Sequence, residues 1–323
     1  MAQHILVTGG AGYIGSHTCK ELHAQGFTPI TIDTLETGHP EAVMWGPLIK
    51  GNMGDTSLIK KVFSDYKPLA VMHFAAYSHV GASIFDPLKY YDNNVANTLS
   101  LLQVMEQFAC RTIIFSSSCA TYGIPTQIPI PTTHQQMPIS PYGWSKLIIE
   151  QALRDLHQAK EWKYGILRYF NAAGADKDGV LGENHQPESH LIPLAFQTIL
   201  GKHPYLEVFG EDYPTADGTA IRDYIHVTDL ATAHVAALQS LLTHPGNICT
   251  NLGTGQGYSV QEIISAAEQT SGKSLPVRYA PRRTGDPAIL VAALDHSPSF
   301  LPNWPQHSQL ENIMQTAWNW HNR

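Results

Sequence analysis

The sequence predicts an α/β fold: a doubly wound parallel sheet with helices on both faces, followed by a smaller α/β domain. Short, continuously apolar segments alternate with helical patterns through the first half of the chain, as in parallel strands that are buried on both faces. A glycine-rich turn joins the first of these strands to the first helix. The length of 323 residues is sufficient for two domains.

The elements of the first half are assigned from apolar runs and from helical spacing of apolar residues. The predicted strands are residues 5–8, 29–33, 70–75, 112–116 and 164–168. The predicted helices are residues 14–25, 58–66, 87–109 and 142–159. Residues 1–171 are therefore expected to form one domain.

Turn-rich sequence follows Asn171 and indicates a second domain at residues 172–323. A helix is predicted at residues 191–200. Ser259 and Glu262 form a capping-box pattern that begins another helix, which is expected to end before Gly272. The segment 224–242 is regular again, and one interpretation returns it to the first domain.

Composition excludes several classes of protein. The formal net charge is −7 and no Lys/Arg-rich run occurs, which argues against a nucleic-acid partner. No stretch approaches the roughly 20 apolar residues that span a bilayer, and the first residues do not resemble a signal peptide. We therefore expect a soluble, cytoplasmic protein with no membrane partner.

Cysteine and histidine spacing predicts neither a metal site nor a disulfide framework. The four cysteines form no Cys-x-x-Cys pair, and we expect them to be reduced. The seventeen histidines form no His-x-x-x-His or His-Glu-x-x-His pattern, so we interpret them as scattered surface or core residues.

The glycine-rich turn predicts a dinucleotide site. Gly9, Gly12 and Gly15 lie three residues apart, directly after the first strand and at the start of a helix. This spacing provides a tight turn, close approach of the backbone to a pyrophosphate, and packing of the helix on the strand. Asp33 ends the second strand, where a carboxylate accepts the ribose hydroxyls of NAD and repels the 2′-phosphate of NADP. NAD is the predicted cofactor.

A tyrosine and a lysine predict acid–base chemistry. Tyr142 and Lys146 are four residues apart, which places them on the same face of one predicted helix. A nearby lysine cation favours the phenolate and is expected to lower the tyrosine pKa. The strand at residues 112–116 runs into a cluster of serines that ends at Ser118, at the sheet edge where such folds bind ligands.

These residues together resemble the extended short-chain dehydrogenases/reductases and, within them, the UDP-glucose 4-epimerases. The matching signatures are residues 9–17, 73–76, 90–95, 115–123, 140–146, 167–171, 219–229 and 280–286. The resemblance implies interconversion of UDP-galactose and UDP-glucose through a transient 4-keto sugar, with NAD regenerated in each turnover. It also implies a homodimer, formed through the helices at 87–109 and 142–159.

The resemblance assigns a role to each site residue. Tyr142 is the implied acid/base, Lys146 orients the nicotinamide ribose and tunes Tyr142, and Ser118 binds the sugar and shuttles the proton. The implied cofactor contacts are Gly9, Gly12, Tyr13, Ile14, Gly15, Asp33, Asn52, Met53, Phe74, Ala75, Ala76, Asn94, Tyr142, Lys146 and Phe170. The implied UDP-sugar contacts are Ser118, Tyr142, Asn171, His190, Leu191, Phe209, Arg222, Arg283, Asp286 and Leu290.

Three positions depart from the pattern of that family. Asn52 replaces an acidic residue beside the adenine amine, although its amide oxygen can still accept a hydrogen bond. Tyr77 and Ser78 replace a Leu-Lys pair that some members have near the nicotinamide and the phosphates. His190 stands where asparagine is common beside the diphosphate, and an imidazole can donate in its place.

Single features of the sequence argue against some of the other functions that occur on the same fold. Nucleotide-sugar 4,6-dehydratases need an Asp-Glu pair after the serine strand, and here that loop is Cys119-Ala120-Thr121-Tyr122. Non-catalytic NAD(P)-sensing regulators typically lack the Tyr–Lys pair that this chain has kept. Epimerases of UDP-N-acetylhexosamines or UDP-pentoses remain open alternatives, and Leu290 is expected at the pocket wall beside the sugar 2-substituent.

Overall fold

The computed structural model describes residues 3–283, 285–294 and 300–323. Thr284, which lies within the sequence signature at residues 280–286, is outside the described residues. Among the described residues, no helix is both long enough and apolar enough to cross a membrane.

A parallel sheet of seven strands forms the centre of the molecule. The sequence predicts a parallel sheet and five of these strands, but not the strands at residues 48–50 and 248–252. Its spatial order is β10-β6-β5-β4-β1-β2-β3. The strands are β1 (Gln3–Thr8), β2 (Phe27–Asp33), β3 (Leu48–Lys50), β4 (Ala70–His73), β5 (Thr112–Ser118), β6 (Lys163–Tyr169) and β10 (Ile248–Leu252). From β1 the chain first adds strands on one side and then on the other, so the order of the strands reverses beside β1. This reversal leaves a crevice at the carboxyl ends of the strands.

Helices cover both faces of this sheet and bury its apolar strands. The helices of the first half are α1 (Tyr13–Ala24), α2 (Thr56–Tyr66), α3 (Val80–Phe85), α4 (Pro87–Tyr91), α5 (Asn97–Gln107) and α6 (Pro141–Lys160). One core lies around Phe63, Met105 and Trp162, and the other lies around Leu22, Leu238 and Leu252. The α/β class predicted from the sequence is confirmed.

The helix predicted at residues 87–109 is present over residues 87–107, but it is not a regular α-helix throughout. It is divided into α4 and α5 by a π-helical turn, Asp92–Ala96. The turn places Asn94 inward, where the residue is 3% exposed and its amide binds the backbone of Tyr77. Such a turn adds one residue without a proline or glycine, so the apolar spacing does not reveal it.

The second half forms two smaller sheets and also contributes to the first. Its other strands are β7 (Asn171–Ala173), β8 (Leu206–Phe209), β9 (Ile221–His226), β11 (Gly257–Ser259), β12 (Val277–Ala280) and β13 (Ile289–Leu290). Its helices are α7 (Leu191–Ile199), α8 (Val227–Thr243), α9 (Val260–Ser271) and α10 (Leu310–His321). Strand β9 pairs with β7, β11 and β13, whereas β8 pairs with β12.

Two of these later elements lie against the large sheet. Strand β10 pairs in parallel with β6, and α8 packs on α1. The capping box predicted at Ser259 and Glu262 is present, and α9 ends at Gly272 in the left-handed conformation. The second half of the chain therefore adds a strand to the large sheet and a helix to one of its faces.

Candidate active site

The glycine turn after β1 is too closely packed to accept side chains. Gly9 has a φ of +73°, and a Cβ there would lie 2.6 Å from the backbone nitrogen of Ala75. A Cβ at Gly15 would lie 2.2 Å from the carbonyl oxygen of Gly9. Gly12 precedes α1 and provides no side-chain cap, which leaves the helix N–H groups and the positive end of the helix dipole for an anion.

Asp33 lies beside this turn at the end of β2. Its Oδ2 accepts a hydrogen bond from Ala11 N at 3.1 Å, and its Oδ1 accepts one from Leu35 N at 2.9 Å. The carboxylate is thereby fixed with acceptor capacity remaining on both oxygens. A bare helix end, a turn with no room for side chains and an oriented carboxylate fit a dinucleotide with free ribose hydroxyls.

Several predicted cofactor residues border the same crevice. Phe74, Ala75 and Ala76 directly follow β4, and Tyr13 and Ile14 form the first turn of α1. The Tyr13 hydroxyl donates to the Gly174 carbonyl at 2.6 Å, which ties the crevice to the second half of the chain.

Other predicted cofactor residues use their side chains elsewhere. The Asn52 Oδ1 accepts from Gly54 N at 2.7 Å, and the Met53 side chain is buried in the core of the sheet. Asn94 is occupied by the backbone of Tyr77 and by Ser145. Phe170 is buried against the loop that follows Ser118. Contact between these four residues and the cofactor therefore remains a prediction.

The three predicted catalytic residues converge on one place. Ser118 ends β5, while Tyr142 and Lys146 lie on the first two turns of α6, which Ser140 caps by accepting from Gly143 N. The Lys146 Nζ lies 5.8 Å from the centre of the Tyr142 ring and donates to the Ser116 carbonyl at 2.8 Å. All three side chains are buried, so their chemistry is shielded from bulk water.

The electrostatics of Tyr142 differ from the sequence expectation. Burial raises the pKa of Tyr142 well above its usual range; the nearby Tyr169 adds to the rise, and an interaction with Ser118 opposes it. Burial also lowers the pKa of Lys146 to about 7. The predicted lowering of the tyrosine pKa therefore does not hold for the protein alone, because desolvation outweighs a lysine held 5.8 Å from the ring.

The predicted UDP-sugar residues form two groups. Arg222 on β9 donates to the Asp286 carboxylate at 2.5 Å, and the Arg283 guanidinium lies 4.0 Å from the centre of the Phe209 ring. These contacts place two cations and their orienting partners near each other, as recognition of a diphosphate requires.

Leu290, which the sequence predicts at the wall of the sugar pocket, lies on β13. It is opposite Arg222 in the pairing of β13 with β9. Its side chain packs against the cluster that contains Cys119 and Phe170, and Cys119 directly follows Ser118. Asn171 begins β7, the strand that follows Phe170, and Leu191 begins α7.

Comparison with known proteins decides the family. The model of the NAD-dependent epimerase/dehydratase family matches residues 5–253. The chain belongs to this family. It is 48% identical to a UDP-glucose 4-epimerase of Rhizobium leguminosarum bv. trifolii over 98% of this chain and 97% of that one. The resemblance proposed from the sequence is confirmed, and this protein is an NAD-dependent epimerase.

Solved structures agree with that assignment. A UDP-glucose 4-epimerase from Brucella ovis, in complex with NAD, is 49% identical with a TM-score of 0.95 and 98% coverage of both chains. A UDP-glucose 4-epimerase from Bifidobacterium longum, in complex with NAD⁺ and UDP, is 38% identical with a TM-score of 0.94. That comparison covers 99% of this chain and 98% of the other.

Sequence reasoning missed two polar residues that support the catalytic group of this epimerase. The Tyr169 hydroxyl hydrogen-bonds the Ser116 side chain, on the residue whose carbonyl binds Lys146. Glu150 is fully buried and accepts from the Ser117 hydroxyl at 2.6 Å and from Arg168 Nε at 2.8 Å. The signal in the sequence was Arg168, which lies within an apolar strand. A buried cation requires an anionic partner, and here that partner is Glu150.

The interpretation of the histidines as scattered also needs correction. His190 precedes α7, and its Nδ1 lies 2.8 Å from Glu183 Oε1 and 3.1 Å from Glu188 Oε1. His185 joins the same group. Because Nδ1 faces these carboxylates, only Nε2 of His190 remains for the predicted contact with the diphosphate. The repeat-like spacing Glu-x-His-x-x-Glu-x-His was the signal in the sequence.

Proposed function

We propose that this epimerase interconverts UDP-galactose and UDP-glucose through a 4-keto sugar that remains bound. The observation that carries the proposal is the buried convergence of Ser118, Tyr142 and Lys146 at the carboxyl edge of the sheet, beside a turn that fits a dinucleotide. The similarity to UDP-glucose 4-epimerases over nearly the whole chain also supports it.

In the proposed reaction Tyr142 accepts the proton of the sugar 4′-hydroxyl, either directly or through the Ser118 hydroxyl. Bound NAD⁺ would supply the acceptor for the C4 hydride, and the hydride would return to the opposite face after the sugar turns. Lys146 holds the cofactor ribose and places a positive charge near the phenolate. Tyr142 then returns its proton to the new hydroxyl, so protons and electrons balance over the cycle.

We propose that the substrate is held from the second half of the chain. In this proposal residues 1–171 bind NAD together with the returning segment 224–242, and residues 172–323 supply the nucleotide-sugar contacts. Arg222 and Arg283 would meet the diphosphate with their forked donors. Asp286 then keeps Arg222 oriented through their 2.5 Å contact.

We predict that the protein purifies with NAD(H) bound and needs no added cofactor. Each turnover regenerates NAD⁺, so the cycle needs no exchange of cofactor, and the glycine turn together with the oriented Asp33 carboxylate provides its site. The experiment mixes purified protein with UDP-galactose alone and measures the UDP-glucose formed at equilibrium. Denaturing the protein should release NAD(H) in an amount proportional to the amount of protein. An empty site that becomes active only with NADP would contradict the proposal.

We predict that UDP-N-acetylglucosamine is epimerised about 10- to 200-fold less efficiently than UDP-glucose, which is the range of ~1–3 kcal/mol that apolar pockets discriminate. Leu290 is intermediate in size between a tyrosine and a small residue at the proposed pocket wall, and its side chain has no group to hydrogen-bond an acetamide. Any effect is therefore steric. The measurement is kcat/KM for both substrate pairs.

Two variants at Leu290 test this prediction. Leu290→Tyr should lose the N-acetyl activity selectively, whereas Leu290→Ala should gain it, with smaller changes for UDP-glucose. Ile289 precedes it on the same strand and provides a matched control, Ile289→Val. Equal changes for both substrates in the Leu290 variants would show that this side chain does not limit the pocket.

We propose further that the epimerase is a cytoplasmic homodimer. Apolar side chains are exposed on α5 and α6, namely Leu99 (38%), Trp144 (43%) and Ile148 (38%), and a partner would cover them. The described cysteines are free thiols, which fits a reducing compartment. Light scattering on the eluted protein measures the mass directly, and Leu99→Glu should shift it toward the monomer if α5 is in the interface.

A further inference from the structure

Four ionisable side chains of the loop before α7 converge on a single point. We call them the Glu/His cluster; its members are Glu183, His185, Glu188 and His190. One ligand atom from each lies within 4.8 Å of all the others. The two carboxylate side chains are only 5% and 4% exposed, whereas the side chains of His185 and His190 are 30% and 47% exposed. The cluster is therefore buried on its carboxylate side and reached by solvent on its imidazole side.

The separations between these atoms run from 2.8 to 3.7 Å, which is close to the spacing of metal ligands. Tetrahedral ligands at ~2.0–2.2 Å from zinc lie about 3.3–3.6 Å from one another. The Glu183 Oε1 is 3.3 Å from His185 Nδ1 and 2.8 Å from His190 Nδ1. Glu188 is 3.1 Å from His190 Nδ1 through Oε1 and 3.7 Å from His185 Nδ1 through Oε2.

One buried carboxylate oxygen is left without a donor at this point. Glu188 Oε1 accepts from the backbone N–H groups of Ser189 and His190 at 2.8 and 2.9 Å. Within the described residues, Glu188 Oε2 is buried with no hydrogen-bond partner, as is His185 Nδ1. A buried carboxylate oxygen facing a buried imidazole nitrogen is costly unless a cation lies between them.

We propose that the Glu/His cluster binds a divalent transition-metal ion of the zinc class. Imidazole nitrogen with carboxylate oxygen suits zinc and its neighbours, whereas magnesium and calcium prefer oxygen ligands alone. Two carboxylates and two neutral imidazoles balance the charge of the ion. Coordination through Nδ1 would place the proton of His190 on Nε2, which makes that atom a hydrogen-bond donor.

The bound ion would fix the position of the loop before α7 relative to the glycine turn after β1. The His185 ring meets the Tyr13 ring edge to face, with 6.3 Å between the ring centres. Beside them lies a cavity of about 260 Å³ that Gly12, Tyr13 and His185 help to line. The site therefore links the start of α1 to the start of α7.

The rival arrangement is metal-free, with both imidazoles protonated. Burial disfavours those protons, yet the carboxylates outweigh it and raise the pKa of His185 to about 9 and that of His190 to about 10. Either a metal ion or two protons can supply the positive charge that this group requires. Direct measurement of bound metal distinguishes them without reference to epimerase activity.

The experiment measures zinc binding to the full-length protein after treatment with a chelator and dialysis. Equilibrium dialysis with zinc alone should give about one tightly held ion per chain, as expected for one four-ligand site. The variant His185→Ala/Glu188→Gln removes two ligands. It should bind zinc more weakly by more than the ~10–100-fold lost when only a hydrogen-bond partner of a ligand is removed.

His23→Ala is the matched control, because His23 is exposed on α1 and outside the cluster. It should bind zinc like the wild type. Equal binding by the wild type and the double variant would overturn the proposal. If circular dichroism shows that the double variant is misfolded, cobalt added to the wild type decides: visible absorption bands that zinc abolishes support the site, and their absence overturns it.

Discussion

Replacing Tyr142 with phenylalanine is expected to lower kcat by at least ~10²-fold, the lower end of what a positioned acid–base group contributes. The change removes one hydroxyl and keeps the ring, which is 8% exposed at the start of α6. No other described tyrosine lies on that turn beside Ser118 and Lys146. Steady-state rates with UDP-galactose, measured on protein with verified NAD content, give the effect on chemistry.

Tyr164→Phe provides the control for removing a hydroxyl. Tyr164 is the second residue of β6, near the opposite end of the strand from Tyr169, and it is only partly buried. That variant should keep the wild-type rate within a factor of a few. Near wild-type turnover in Tyr142→Phe, with NAD still bound, would remove Tyr142 from the catalytic role and leave Ser118 as the remaining candidate.

Five strands of the large sheet could be predicted because buried parallel strands are continuously apolar, and the turn at Gly9–Gly15 directly follows the first of them. The other two were missed because β3 has only three residues and β10 contains Thr250 and Asn251, so neither is a continuous apolar run. The π-helical turn at Asp92–Ala96 could not be predicted, because it depends on the contact of Asn94 with Tyr77, seventeen residues away.

The site was predictable where chemistry follows from spacing within one element. Tyr142 and Lys146 share a helical face, and Asp33 ends the strand that follows the glycine turn. Spacing does not show how deeply a side chain is buried, however. Burial is the main cause of the shifted pKa values of Tyr142 and Lys146. The Glu/His cluster was missed although its Glu-x-His-x-x-Glu-x-His spacing is visible in the sequence, because spacing within a loop does not predict that the side chains converge on one point.

Lys146→Met is expected to be as severe as Tyr142→Phe and to act differently. The Lys146 Nζ is the cation near the Tyr142 ring, and its 2.8 Å bond to the Ser116 carbonyl fixes its position. Methionine has similar length and no charge, so the fold is expected to persist while the phenolate loses its stabilising neighbour. We expect a loss of at least ~10²-fold in kcat and weaker retention of NAD.

The pH dependence of Lys146→Met separates electrostatic tuning from general damage. Removing a nearby cation disfavours the phenolate and raises the pKa of Tyr142 further, so the residual rate should climb with pH beyond the point where the wild-type rate levels off. The measurement is kcat against pH at saturating substrate and added NAD. Lys160→Met, on the exposed end of the same helix, should reproduce the wild-type profile. A Lys146→Met profile that is lower but unchanged in shape would mean that the lysine positions the cofactor without tuning the tyrosine.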